Sequence, residues 1–157
     1  MINISVSKKH FTLLSKGWFR KVAEMFSQEE SIGEQKNASV ILVGDPKIKS
    51  LNRDYRQVDQ VTDVLSFNGN TSDDFDVDED KNYLGEIFIC VPQAKRQAKI
   101  NNNTFKNEMA WLLIHGLAHL TGYDHENVSK DDSQKMYDLE NRVLDRLGFS
   151  KNEFYKE

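Results

Sequence analysis

The sequence predicts an α+β protein, a small mixed sheet of four strands packed with about five helices. Three observations predict it. Short runs rich in β-branched residues alternate with longer segments whose apolar residues recur every three or four positions. The four strand-like runs and five helix-like segments interleave along the chain rather than falling into blocks. No internal repeat and no Pro- or Gly-rich linker interrupts them. The 157 residues are therefore expected to form one domain, 1–157, large enough to bury a substantial core.

Each element has its own signal. Met1-Ile2-Asn3-Ile4-Ser5-Val6 alternates as a strand does, and lacks the apolar stretch and cleavage site of a signal peptide. Phe11, Leu14, Trp18, Val22, Met25 and Phe26 recur at helical spacing and predict a long amphipathic helix. After the polar stretch from Gln28 to Lys36, the apolar run Ala38 to Val43 reads as a buried strand. Gly44-Asp45-Pro46 stops it and starts a helix, with Asp45 as N-cap and Pro46 in the first helical position. Ile48, Leu51 and Tyr55 share one face of that helix, which runs to about Arg56. Val64 to Phe67 is the third strand, ended by Asn68-Gly69-Asn70, and Leu84 to Val91 the fourth. Pro92 opens a short helix to about Ile100, the Asn101-Asn102-Asn103 run breaks it, and Thr104 caps the next. Ser129 with Asp132 resembles a capping box. Met136, Leu139, Val143 and Leu147 stripe the last helix, and Gly148 ends it.

Hydrophobic residues at 38% and charged residues at 29% place the chain among globular rather than disordered proteins. No apolar run approaches the roughly 18 residues that span a bilayer. The single cysteine, Cys90, excludes an internal disulfide framework and a Cys-rich zinc site, and a reduced, cytoplasmic protein is expected. The formal net charge is −4, but six acids crowd between Asp73 and Asp80, so the remainder is mildly basic. Global charge therefore does not exclude a polyanionic partner. The acidic run is not a calcium loop. With Asp74 in its first position, Glu79 falls where Gly is required and Gly85 where the final Glu should stand.

Three of the four histidines fall in one window, His115-Gly116-Leu117-Ala118-His119-Leu120-Thr121-Gly122-Tyr123-Asp124-His125. Four residues is slightly more than one helical turn, so His115 and His119 project from one face and can converge on one ion. Gly122 is placed to end that helix in a left-handed conformation, after which His125 can return to the same ion. Three protein ligands with an open position is the composition of a catalytic zinc site, although three imidazoles also suit nickel or another divalent metal. His10, beside Lys8-Lys9, reads as an ordinary surface residue. The spacing is that of the metzincin peptidases, but that frame needs Glu directly after the first histidine, and here stands Gly116. A peptide metallohydrolase is thereby disfavoured.

The same window resembles the His-Gly-x-Leu-His-Leu-x-Gly-Tyr-Asp-His signature of the YbeY family, bacterial endoribonucleases and rRNA maturation factors. A second block agrees: Leu51-Asn52-Arg53-Asp54-Tyr55-Arg56, then Asp59 and Thr62-Asp63-Val64-Leu65-Ser66-Phe67. Leu84-Gly85-Glu86-Ile87 is a third, and weaker agreement continues through Gln97-Ala98, Glu108, Met136 and Glu140. Ala118 stands where the family usually has Leu, Glu86 where Asp is usual, and Gln60-Val61 where a Lys-Pro-like pair often precedes Thr62. The resemblance implies a zinc-hydrolase-like metal helix and a metal-dependent endoribonuclease that prefers single strands. Its implied partners are 16S rRNA, in 3′-end maturation, and ribosome particles in quality control, with ribosomal protein and GTPase partners as further candidates. By position, His115, His119 and His125 would be the zinc ligands and Arg56 the functional arginine. The alternative is a ribosome assembly factor whose metal site is mainly structural.

Chemically, a three-His zinc can lower the pKa of its bound water towards about 7 or polarise a phosphoryl oxygen. A guanidinium suits bidentate contact with the phosphate, a role that Arg56 would fill. Its plainer reading is a charge at a helix end that offsets the dipole. Lys47, Lys49, Arg53, Lys95, Arg96, Lys99 and Lys106 would form a basic track if their two helices flank one cleft. Asp124 is a candidate to orient a histidine ligand, and Asp63 to shape the cleft.

Overall fold

The computed structural model describes residues 1–69, 82–124 and 128–149. The acidic stretch from Asp73 to Asp80 and the third histidine, His125, lie outside them. The element order is β1 (Ile2–Lys8), α1 (Lys16–Glu29), β2 (Lys36–Val43), α2 (Asp45–Arg56), β3 (Val64–Asn68), β4 (Tyr83–Cys90), α3 (Val91–Ile100), α4 (Phe105–Leu120) and α5 (Lys130–Arg146). The strands form one mixed sheet in the order β1-β2-β4-β3. The first three strands in that order run parallel, and β3 returns antiparallel along β4, with Ser66 opposite Ile87.

The strand alternation divides the core between the two sheet faces. Ile4, Val6, Val40, Leu42, Ile87 and Ile89 point to the side holding α1, α4 and α5. Val43, Leu65 and Cys90 point to the other side, against Ile48 of α2. Helix α4 is the central beam. Leu112, Leu113, Ile114 and Leu117 are fully buried on it, and each such side chain is worth about 1.5–3 kcal/mol of burial. Thr104 caps its start by accepting from Asn107 N at 3.1 Å. No described helix is long and apolar enough to cross a membrane.

Several boundaries differ from the sequence expectation for local reasons. Helix α1 begins after Phe11 and Leu14, because the Ser15 hydroxyl caps it by accepting from Trp18 N at 3.0 Å. Phe11 is consequently exposed, and the fully buried Phe19 takes its place in the core. Gly44, not Asp45, is the N-cap of α2, because the Asp45 carboxylate is drawn to Arg96 of α3. On α2 the inner face carries Ile48 and Asn52, while Tyr55 points outward. Val91 opens α3 rather than ending β4.

Candidate metal centre and substrate groove

Helix α4 ends as its sequence suggests. Gly122 has φ +104°, its N–H donates to His119 O at 3.1 Å, and Tyr123 N–H donates to Ala118 O at 3.0 Å. This pair of bonds is a Schellman turn, and it swings the chain away from the helix axis directly before His125. The Tyr123 hydroxyl anchors the turn by donating to Glu30 Oε1 at 2.8 Å. Burial, with the neighbouring Glu30 carboxylate, holds the phenol above its ordinary pKa.

One turn back, His115 and His119 do converge. Their Nε2 atoms are 3.1 Å apart and their rings nearly perpendicular, at 88°. Two nitrogens each about 2.0–2.1 Å from a tetrahedral ion lie roughly 3.3 Å apart, so the pair has the spacing of two ligands sharing one metal. The His115 ring is held on two further sides. Trp111 stacks on it, with centroids 4.8 Å apart at 26°. Behind it, Nδ1 is hydrogen-bonded to Glu140 Oε1 of α5 at 3.3 Å. Among the described residues no set of three His, Cys, Asp or Glu groups could hold an ion. His115 and His119 could supply two nitrogen donors to an ion, and a metal site built on them would need at least one further ligand.

The pair opens into a groove of about 1020 Å³. The end of α2 contributes Asn52 and Arg56 to its wall, β3 and the residues before it contribute Asp63 and Ser66, and α5 contributes Lys130 and Glu140. Arg56 and the histidines, 59 or more positions apart in the chain, therefore share one cavity. Asn52 fixes the segment after Arg56, accepting from Val58 N through its backbone and donating from its side chain to Gln60 O at 2.9 Å.

Asp63 lines the groove as a tethered carboxylate. Its Oδ1 accepts from Val64 N at 2.8 Å and from the Thr62 hydroxyl at 3.4 Å, and its Oδ2 from Gln97 Nε2 at 3.1 Å. That same Gln97 nitrogen donates to Oε1 of the fully buried Glu108 at 2.9 Å. Asp124 lines the groove as well, and the Glu140 carboxylate reaches His115.

The basic track is not at the groove. Its wall carries Arg56 and Lys130, and none of Lys47, Lys49, Arg53, Lys95, Arg96, Lys99 or Lys106. Arg96 is turned to Asp45, which it grips with two bonds of 3.0 and 2.7 Å, and Arg53 to Asp54 at 3.0 Å. Lys95 lies over the Phe105 ring. The Cys90 thiol is pushed up to about 12, chiefly by burial, which leaves it inert rather than nucleophilic. His10 packs beside Gly44 and is not part of the groove wall.

Glu140 stood out in the sequence only through the resemblance. The residue pattern does carry a signal for it. Glu140 falls on the apolar stripe of α5, four residues after Met136 and three before Val143, where a carboxylate needs a partner. Trp111, four residues before His115, is the corresponding missed position on α4.

Fold and groove together define an α+β protein with a histidine pair and an arginine facing one cavity beside a mixed sheet. The family model for endoribonuclease YbeY matches residues 2–148. The chain belongs to that family. It is similar to the endoribonuclease YbeY of Shouchella clausii, with 38% identity over 81% of this chain and 82% of that protein. The Macrococcus caseolyticus relative of the same name is 36% identical over 80% and 81%. A Thermotoga maritima protein solved in solution superposes with a TM-score of 0.59 at 31% identity, covering 94% of this chain and 92% of that one.

Proposed function

We propose that this protein is a zinc-dependent, single-strand-specific endoribonuclease of the cytoplasm. Its proposed role is ribosomal RNA processing, at the 3′ end of 16S rRNA and in quality control of ribosome particles. The observation that carries the reading is the convergence of His115 and His119 in the groove that Arg56 enters. Family membership, with relatives named endoribonuclease YbeY, supports RNA as the substrate.

His115, His119 and His125 would hold the metal. When bound, it would supply Lewis acidity and an activated water, which phosphodiester hydrolysis needs. The chain's own residues do the rest. Arg56 presents a planar fork of donors to a phosphate at the groove wall and meets the negative charge that grows on its oxygens. Lys130, on the α5 side, offers a second cation to the backbone of the strand. Asp63, tethered by Gln97, keeps the wall beside Arg56 in place.

The test is cleavage of a labelled single-stranded RNA and of its duplex by the zinc-loaded protein. The single strand should be cut and the duplex spared. His119→Ala should abolish cutting, and Arg56→Ala should slow it by about 10²–10³-fold. An uncut RNA beside a cleaved peptide would overturn the nuclease reading. Binding to ribosome particles with neither substrate cut would favour an assembly factor.

A further inference from the structure

We propose that Glu140 is a positioning residue. It fixes the tautomer and orientation of His115, and so sets the affinity of the metal pair. The inference rests on the metal reading above and adds to it a residue from a different helix.

A carboxylate accepts and cannot donate when ionised, so in the 3.3 Å contact the proton belongs to His115 Nδ1. A neutral ring protonated at Nδ1 carries its lone pair on Nε2, the atom that faces His119 Nε2 at 3.1 Å. The opposite tautomer would point an N–H at the place where a metal must sit. Glu140 is itself buried, with 7% of its side chain exposed, between Met136 and Val143 on the packed stripe of α5. A carboxylate in that setting is costly unless it is bonded, so solubility does not explain its place. Trp111 clamps the His115 ring by its face while Glu140 holds it by its edge. Together they leave Nε2 aimed in one direction. Outer carboxylates behind histidine ligands typically change metal affinity by about 10–100-fold.

The test uses the full chain and zinc alone, with Glu140→Leu and Glu140→Gln. Affinity is read by competition with a chromophoric chelator, and the His115 tautomer by nitrogen-15 NMR of the metal-free protein at mildly alkaline pH. Glu140→Leu should weaken zinc binding by about 10–100-fold and release the ring from the Nδ1–H form. Glu140→Gln keeps an acceptor oxygen, and should retain the tautomer and recover much of the affinity. A folded Glu140→Leu protein with wild-type affinity and an unchanged His115 tautomer would overturn the proposal. If Glu140→Leu does not fold, the metal-free wild type decides: His115 in the Nδ1–H form supports the proposal, and the Nε2–H form overturns it. Should the wild type bind no zinc, the metal reading fails, and the tautomer comparison alone still judges Glu140.

Discussion

Gly116 lies so close to Ile87 of β4 that a Cβ at position 116 would stand 2.7 Å from the Ile87 Cγ2 atom. The residue after His115 therefore faces the sheet, not the groove. A glutamate there, as the metzincin frame requires, would have to displace the core, so the absent carboxylate follows from how α4 docks. Gly116→Ala should destabilise the fold by about 1–2 kcal/mol in denaturant titration. Overpacking costs about 1–3 kcal/mol and the gain in helix propensity returns up to about 1. Gly116→Glu should unfold the protein rather than create a peptidase.

Gln97 joins two carboxylates with a single amide, Asp63 on the groove wall and Glu108 in the core. Gln97→Leu fills the space but withdraws the donor. The expected loss is about 1–3 kcal/mol in thermal or chemical unfolding. Under the proposed function, KM for RNA should rise more than kcat falls, because Asp63 tethers the wall and does not meet the reacting phosphate. An unchanged melting temperature would show that the amide bridge contributes nothing.

Among the described residues nothing lies within 4 Å of a Cβ placed on Gly122, so the cost of a side chain there is the backbone strain of φ +104°. Gly122→Ala should cost about 1–2 kcal/mol, and Gly122→Asn less, since asparagine tolerates left-handed conformations better. Under the proposed function, zinc affinity should follow the same order, because this turn precedes His125. Equal effects of Ala and Asn on both melting temperature and zinc binding would contradict the strain account.

Arg96 holds the Asp45 carboxyl below its ordinary value of 3.8, mainly through their hydrogen bonds. A depressed carboxylate contributes stability that is present above its unfolded pKa and lost as pH falls through its folded one. Both partners are well exposed, so the contribution should stay below about 1 kcal/mol and shrink in salt. Arg96→Ala should therefore be slightly less stable than the wild type at neutral pH. The gap should close as the solution is acidified below 3.8, which paired urea titrations would show.

Much of this protein is legible in one dimension because its signals are local. The period of two in Ile2, Ile4 and Val6 and the helical stripe of α5 report burial directly, and the caps at Thr104 and Ser129 are fulfilled by bonds three residues away. Where local rules erred, a distant partner had intervened. Asp45 is a good N-cap by composition, yet an arginine 51 residues away in the chain claims its carboxylate. The lysines and arginines of α2 and α3 look like a track in sequence, but the groove takes only Arg56 from among them.

By itself, the sequence determined the four strands, the five helices, the Gly122 turn and the shared face of His115 and His119, all consequences of backbone periodicity. Only the tertiary structure decided what surrounds that face. It brought Arg56 across from α2, set Glu140 of α5 behind His115, and turned Gly116 onto the sheet. Such contacts depend on the angles at which whole elements pack, and side-chain spacing along one chain carries no record of those angles.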